Sequence, residues 1–579
     1  MRPGGNSHPV PRYNNKTYRV DEIDFTMNCL STFVDHNRVE RTFMDYYKVH
    51  HNLDIKDPKQ PLLISRSKRK TVEESEVASL TALVPELCSM TGLTEAMKAD
   101  FKVMKDVALF TRITPAQRQV AMQKFLDNVS NSPEASSHLL NWGLVLGKST
   151  VKLEGRRFPQ EKLHAGKKFQ FKVSDKADWT REVTTSSCLH AEPLRKWVVV
   201  YVQKNSEVVR NFVALMIKLA PKMGIQVAQP AMAELPNDRT ETYVKAIREA
   251  VEPTVQLVCA VMPTPRDDRY AAVKKFCCVE QPVASQVINF KTISNEKKVA
   301  SVVQKVALQI NCKLGGELWG CDIPMKHLMV VGIDVYHDIT RRTSSIAGIV
   351  SSTSPAMSKW YSSTCVQTPG QELVDSLKAA FVRAAREYYK AQHAWPEKVL
   401  VFRDGVGDTQ LSTVASYEAD QFRDSFRHIS DDYSPSFGFV VVQKRINTRI
   451  FARGSKAPEN PPPGTVLDHT VTKRDWYDFF LVSQHVGQGT VSPTHYIVVH
   501  DNTGLKPDII QKISYKLTHM YYNWPGTVRV PAPCQYAHKL AYQVTTFVPM
   551  ATLTTVSTQV GEHIHKEPSE QLNHRLFYL

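Results

Sequence analysis

The chain has 579 residues, enough for roughly three to five domains, and its 42% hydrophobic content supports sizeable cores. Lysine and arginine outnumber the acids by 73 to 57, a net charge of +16, which points to a polyanionic partner such as nucleic acid or an acidic surface. The ten cysteines include the adjacent Cys277 and Cys278 but no Cys-x-x-Cys, which argues against a zinc ribbon and for a reduced compartment. No apolar stretch reaches the ~18 residues of a membrane helix, and Met1 to Asn14 lacks the apolar core of a secretory leader, so a soluble cytosolic or nuclear protein with no membrane partner is expected.

From the N-terminus to about residue 75 the pattern gives short strands around one aromatic helix, Phe43-Met44-Asp45-Tyr46-Tyr47-Lys48. Tyr46 and Tyr47 offer faces that stack on unpaired bases or sugars, and they suit a core equally well. The basic run Ser65 to Lys70 reads as a solvated linker. Ser75 to about Asn141 is helical in pattern, broken at Val84 to Cys88. Gly143-Leu144-Val145-Leu146-Gly147-Lys148-Ser149 is one residue short of a phosphate loop. It is followed by strand-like Val151 to Gly155 in place of a helix, so an ordinary turn is expected. From Lys196 the chain alternates. Trp197 to Val202 reads as a buried strand, Asn205 as the cap of a helix over Glu207 to Leu219, Arg239 to Val251 as a second helix and Thr254 to Val261 as a second strand. Such alternation builds a parallel sheet with helices on both faces.

Two helices of this region gather hydrogen-bond donors. Tyr270 and Lys274 are four residues apart and share a helical face. In Glu296 to Gly315, Val299, Val302, Val303, Val306 and Ile310 form the core stripe, while Lys305, Gln309 and Lys313 recur every four residues beside it. That row could meet a phosphate as a group, although on spacing alone a solvated face is the plainer reading.

The most informative stretch is His327 to Val335, a β-branched apolar run carrying Asp334 near its end. Lys398 to Gly405 repeats the device with Asp404. Continuous apolar runs of this kind are strands buried on both faces, and an acid at their ends is costly unless paired, hydrogen-bonded or bound to a cation. Two such strands side by side would set two repelling carboxylates at one sheet edge, the arrangement of a two-metal phosphodiester nuclease; two separately capped or ion-paired aspartates are the plainer alternative. Between them, Thr368-Pro369-Gly370-Gln371 reads as the start of a helix that continues through Leu373, Leu377, Phe381 and Tyr388, with Glu372 in its first turn. Lys444, Arg445 and Arg449 follow the strand Phe439 to Val442 and suit backbone phosphates or an exposed charge cluster.

Four segments resemble the slicer motifs of the Argonaute superfamily, specifically its Piwi clade: Gly332 to Asp338, Gln371 to Val374, Phe402-Arg403-Asp404-Gly405-Val406, and Pro531 to Lys539 with His538. Trp476 to Phe480, Ser492 to Tyr496 and Tyr521 to Gly526 are also Piwi-like, and the resemblance covers nearly all of the chain from about Arg12. It implies a multidomain α/β protein: an incomplete β-rich PAZ portion over 1–75, a helical linker over 76–185, a Rossmann-like MID domain over 186–318 and an RNase H-like Piwi domain over 319–579. It further implies Asp334, Glu372, Asp404 and His538 as a catalytic tetrad holding Mg²⁺ or Mn²⁺. Tyr270, Lys274, Gln286, Lys305, Gln309 and Lys313 would grip a guide's 5′ phosphate, with the terminal carboxylate of Leu579 as a further metal ligand. Tyr46 and Tyr47 would meet the guide's 3′ end, and Lys444, Arg445 and Arg449 the RNA backbone. The implied activity is piRNA-guided cleavage of complementary target RNA to 5′-phosphate and 3′-hydroxyl products in transposon or gene silencing. A guide-loaded effector that recruits partners without cutting is the alternative. The implied partners are the small guide RNA, its target, and Tudor-domain and silencing proteins, in the cytoplasm with its germ granules or in the nucleus. The Thr- and Val-rich segment Val544 to Gly561 departs from the family pattern and bears on Leu579 more than on His538.

Overall fold

The computed structural model describes residues 9–14, 16–34, 38–69, 77–93, 97–98, 100–337, 345–367, 374, 376–546 and 568–579. Two compact units result, Met1–Arg112 and Ile113–Leu579.

In the first unit, β1 (Glu22–Asp24), β2 (Leu62–Arg69) and β3 (Val77–Leu83) form an antiparallel sheet. α1 (Phe43–His51) begins where the Thr42 side chain accepts the Asp45 N–H, and it ends at Asn52 in the left-handed region. It drives Phe43 and Tyr47 into a core with Cys29, Ile55, Leu62, Val84 and Leu87. α2 (Phe101–Thr111) starts on an Asp100 cap. The expected helical stretch from Ser75 is therefore corrected: Val77–Leu83 is a strand, because its small and β-branched residues find a ladder partner in β2 and long-range pairing overrides local pattern. The run Ser65 to Arg69 lies in β2 rather than in a linker, and the expected boundary at 75 falls between two paired strands.

The second unit opens with α3 (Pro115–Ser130), started by a Thr114/Gln117 capping box, and α4 (Pro133–Asn141). Gly143 to Ser149 forms neither helix nor strand, as its missing residue and missing helix foretold. Val151 to Gly155 does not form the expected strand; the ladder there is the short β4 (Arg156–Arg157). Next come β5 (Trp197–Val202), α5 (Ser206–Leu219), β6 (Ala231–Leu235), α6 (Thr240–Ala250), β7 (Leu257–Met262), α7 (Asp267–Lys275), β8 (Ala284–Asn289) and α8 (Val299–Leu314). The four strands are parallel, in the order β6-β5-β7-β8. Every residue of β5 and β7 is buried, as a parallel sheet covered on both faces requires.

A larger mixed sheet follows. Its strands are β9 (Leu328–His337), β10 (Ser345–Ser352), β11 (Trp360–Gln367), β12 (Lys398–Asp404), β13 (Ser436–Gln443), β14 (Thr465–Leu467), β15 (Tyr477–Val482) and β16 (Thr494–Asp501). Among the described residues the order is β11-β10-β9-β12-β13-β16-β15-β14-β4, with β9, β12 and β13 parallel at the centre. Along β9, Met329, Val331 and Ile333 enter the core shared with α9 (Leu377–Gln392) and α10 (Ala419–Ile429). Leu328 and Val330 enter the opposite core, shared with α11 (Pro507–Leu517) and α12 (Ala532–Thr545). A strand covered on both faces has no polar side to show, which is why the run reads as unbroken apolar sequence.

Candidate active site and anion pocket

Asp404 ends β12, and Asp334 lies beside it on the neighbouring β9, three residues before that strand ends. Ile333 of β9 lies in register with Arg403 of β12, so the aspartates that follow them stand at the same level of the sheet. Both are deeply buried, with relative exposures of 4% and 1%. The carboxyl end of a parallel pair is where open α/β sheets place their chemistry.

α12 brings the third group. A β-carbon on Gly332 would lie 2.2 Å from the Pro533 carbonyl carbon, and one on Gly348 would lie 2.3 Å from the Ala537 oxygen. The helix thus rests directly on the backbones of β9 and β10, an approach only glycine permits. One residue beyond Ala537, His538 Nδ1 comes 2.7 Å from Asp334 Oδ2, whose other oxygen accepts the Val335 N–H at 3.0 Å. On Asp404, Oδ2 accepts from the Lys444 ammonium. Burial, with Asp334 alongside, pushes the Asp404 carboxyl up to about 6 even against the opposing pull of Lys444. Burial works against the Lys444 charge, but Asp404 and Asp334 together hold that ammonium above its ordinary value.

Glu372 lies outside the described residues, as does the expected helix start at Thr368 to Leu373. Val374 and Ser376 are not helical, and the stripe Leu377, Phe381 and Tyr388 belongs to a helix that begins at Leu377. Val374 is tied down firmly. Its N–H donates to Glu418 Oε1 at 2.9 Å and its carbonyl accepts from Gln421 at 2.7 Å. Glu418 pairs in turn with Arg403 at 3.0 Å, both wholly buried, so the neighbour of Asp404 braces the chain just after Glu372.

Two carboxylates and an imidazole are donors that Mg²⁺ or Mn²⁺ accepts. Among the described residues, no three His, Cys, Asp or Glu side chains stand close enough together to enclose an ion. An ion held by Asp334 and Asp404 would therefore need a further ligand.

Of the expected backbone contacts, Lys444 turns inward to Asp404, Arg445 is exposed, and Arg449 donates to the carbonyls of Ile446 and Thr448 at 2.7 and 2.8 Å. Arg449 sits beside Arg118 of α3 and Arg529, and burial followed by those two charges depresses its pKa. The Nε of each of the three is buried and has no hydrogen-bond partner among the described residues. Three neighbouring guanidiniums concentrate positive charge there, and guanidinium is a strong partner for phosphate. Arg118 and Arg529 went unforeseen, because nothing in their spacing ties them to Arg449.

The second cluster lies on the smaller sheet. Lys274 of α7 donates to the Ser285 carbonyl and hydroxyl at 3.1 and 3.0 Å. Lys313 of α8 donates to the same carbonyl at 3.0 Å and to Gln286 Oε1 at 2.8 Å. Both lysines are 2% exposed, and neither pairs with a carboxylate among the described residues. Burial lowers both pKa values, Lys313 well below the usual lysine range with Lys274 adding to the effect. Tyr270 lies under the Lys274 ammonium, 5.9 Å from ring centre. Gln286 reaches Gln309 at 3.4 Å, and Gln309 donates to Asn523 at 2.5 Å. The structure therefore brings Tyr270, Lys274, Gln286, Gln309 and Lys313 together. Lys305 is exposed, its ammonium 5.9 Å from the Trp524 ring. Leu579 packs partly buried against the core shared with α8 and α12, and its carboxylate forms no ion pair among the described residues.

In the first unit, Tyr47 is 3% exposed and its hydroxyl meets that of Tyr13 at 2.9 Å, so its ring is a core element rather than an open stacking face. Burial pushes the Tyr13 phenol up to about 12. Tyr46 is half-buried beside His50, at 4.7 Å between ring centres.

Comparison with known proteins agrees with this architecture. The Piwi domain family model matches residues 257–548 and the PAZ domain model residues 6–114. Piwi-like protein Ago3 of Bombyx mori is 45% identical over 98% of this chain and 60% of that protein. Piwi-like protein 1 of Gallus gallus is 43% identical over 98% of this chain and 64% of its own length, so the chain spans less than two thirds of these relatives. The crystal structure of Drosophila Piwi superposes with a TM-score of 0.76 at 31% identity, covering 99% of this chain and 74% of that one. Kluyveromyces polysporus Argonaute, solved with a guide RNA, shares the fold at a TM-score of 0.70 and 18% identity, covering 99% of this chain and 67% of that one. This chain belongs to the Argonaute superfamily, in its Piwi clade, and carries both a PAZ and a Piwi domain.

Proposed function

We propose that the chain loads a small guide RNA and cuts complementary RNA in silencing. The juxtaposition of buried Asp334 and Asp404, with His538 on the first, carries this reading. Asp334 and Asp404 would hold Mg²⁺ or Mn²⁺, completed by His538 and Glu372; bound there, such ions supply a water of lowered pKa and charge neutralisation at the leaving 3′ oxygen. His538 orients the Asp334 carboxylate, and α12 fixes His538. Lys274 and Lys313, two buried cations on one carbonyl, receive the guide's 5′ phosphate with Tyr270, Gln286 and Gln309 around it. Arg449, with Arg118 and Arg529, takes phosphates of the backbone, and Lys444 and Arg445 flank them. Tyr46 is the better placed of the two tyrosines for a guide's 3′ end. Base pairing selects the target, and Tudor-domain or silencing proteins would act on the loaded complex.

The test is cleavage of a matched target by guide-loaded protein with Mg²⁺. Asp404→Asn is expected to lower the rate about a thousandfold or more while guide loading stays within about twofold. A wild-type protein that loads guide and leaves the target intact would favour the second reading, a guide-loaded effector that recruits partners without cutting. One observation speaks for that reading: the Lys444 ammonium already sits on Asp404.

A further inference from the structure

The Lys444 contact carries an inference of its own, which rests on the reading of Asp334 and Asp404 as a cation site. Among the described residues, three of the four carboxylate oxygens in the pair have protein donors. Val335 N–H and His538 take those of Asp334, and Lys444 takes Oδ2 of Asp404. The first two donors can stay when a cation arrives, since one is backbone at the strand and the other lies on a helix pressed against it. Lys444 differs in kind. It is an ammonium, a compact positive charge. A divalent ion held by Asp404 would stand within a few ångströms of it in a buried setting, where like charges repel strongly. The two cations are competitors for one carboxylate.

Lys444 is also built to leave. It follows β13 directly, its backbone carbonyl is held by Arg529, and its side chain is 25% exposed against 1% for Asp404. The side chain can swing while the backbone stays. Arg529 belongs to the guanidinium group with Arg118 and Arg449, so a phosphodiester seated on that group would offer the ammonium a second anion nearby. We propose that Lys444 is an internal cation that holds Asp404 until an RNA phosphate draws it away, so that RNA and the divalent cation bind with positive coupling. Coupling of this kind is reciprocal: the factor by which RNA tightens the cation is the factor by which the cation tightens RNA.

Mn²⁺ titration of the full chain, read by electron paramagnetic resonance at pH 8 and low salt, tests this without relying on cleavage. Lys444→Met and Lys444→Gln are each expected to bind Mn²⁺ about tenfold tighter or more than wild type in the absence of RNA. A 5′-phosphorylated single-stranded RNA, with its own Mn²⁺ uptake subtracted, is expected to tighten Mn²⁺ binding to wild type by a comparable factor and to change the two variants by less than about twofold. Mere structural damage would weaken the cation in the variants, the opposite sign. Equal or weaker Mn²⁺ binding by both variants overturns the proposal, as does an RNA that leaves wild type unchanged. Failure of the parent reading looks different: Mn²⁺ binding to wild type would then be undetectable or would survive Asp404→Asn.

Discussion

The carboxylate pair and the lysine pair are opposite in sign and alike in burial, yet the protein settles them differently. Asp334 and Asp404 are met by His538 and Lys444, partners from the same chain. Lys274 and Lys313 converge on one neutral carbonyl and have no carboxylate partner among the described residues. A buried charge without a counter-charge is expensive, so the lysine pocket is the site more dependent on an anion from outside. The acid site is already met from within, whereas the lysine pair still lacks a counter-charge among the described residues. α12 touches both, since its His538 bonds Asp334 and its Gln543 reaches Cys278, just past α7, at 3.7 Å.

The largest expected effect breaks the lysine half. Replacing Lys274 and Lys313 together with Met removes two charge-assisted contacts to a phosphate, about 4 kcal/mol in all, or roughly a thousandfold in affinity. Fluorescence anisotropy should find that loss for 5′-phosphorylated RNA and little change for 5′-hydroxyl RNA. Equal losses for both would remove the pocket from the guide's 5′ end. The unliganded double variant should also melt higher than wild type, because two unneutralised buried charges are gone.

The next effect is on the acid half, through packing alone. Gly332→Ala puts a methyl 2.2 to 2.5 Å from the Pro533 and Cys534 backbone, where no side chain can yield. A destabilisation of at least about 3 kcal/mol is expected in chemical denaturation. Any folded protein should lose cleavage before 5′-phosphate binding, because α12 carries His538 onto Asp334 whereas Lys274 and Lys313 sit on other helices. Preserved cleavage in this variant would mean that the His538 contact is dispensable.

What could be read in the sequence follows the same division. β9 and β12 were legible because a strand covered on both faces is apolar throughout, so one acid at its end stands out. The row Lys305, Gln309 and Lys313 was legible as a helical face, but not that Lys305 is exposed while Lys313 is buried; that depends on how α8 lies against β8. Lys444 was read as a phosphate contact because sequence order says nothing of reach between neighbouring strands, and the structure turns it onto Asp404. Arg118 lies more than 300 residues before Arg449 and Arg529 in sequence, and only the fold gathers them. Val77–Leu83 misled because its composition suits helix and strand alike and β2 decided between them.

The smallest effect sharpens the contrast through pH. Asp404 has its carboxyl raised from 3.8 to about 6, so between those values the folded state binds a proton that the unfolded chain releases. Its contribution to stability is full below about pH 4 and is lost as pH rises through 6, at most about 3 kcal/mol. Lys313 has the opposite sign. Its lowered pKa means that the unfolded chain holds the proton that the fold sheds, so stability rises with pH toward 10.5. In the metal-free, RNA-free protein, Asp404→Asn should therefore flatten the melting profile on the acid side and leave the alkaline side alone, and Lys313→Met should do the reverse. Calorimetry across pH 4 to 10 separates them. If one substitution flattened both limbs, the two sites would be coupled through α12, and the acid and lysine halves could no longer be treated as independent solutions to buried charge.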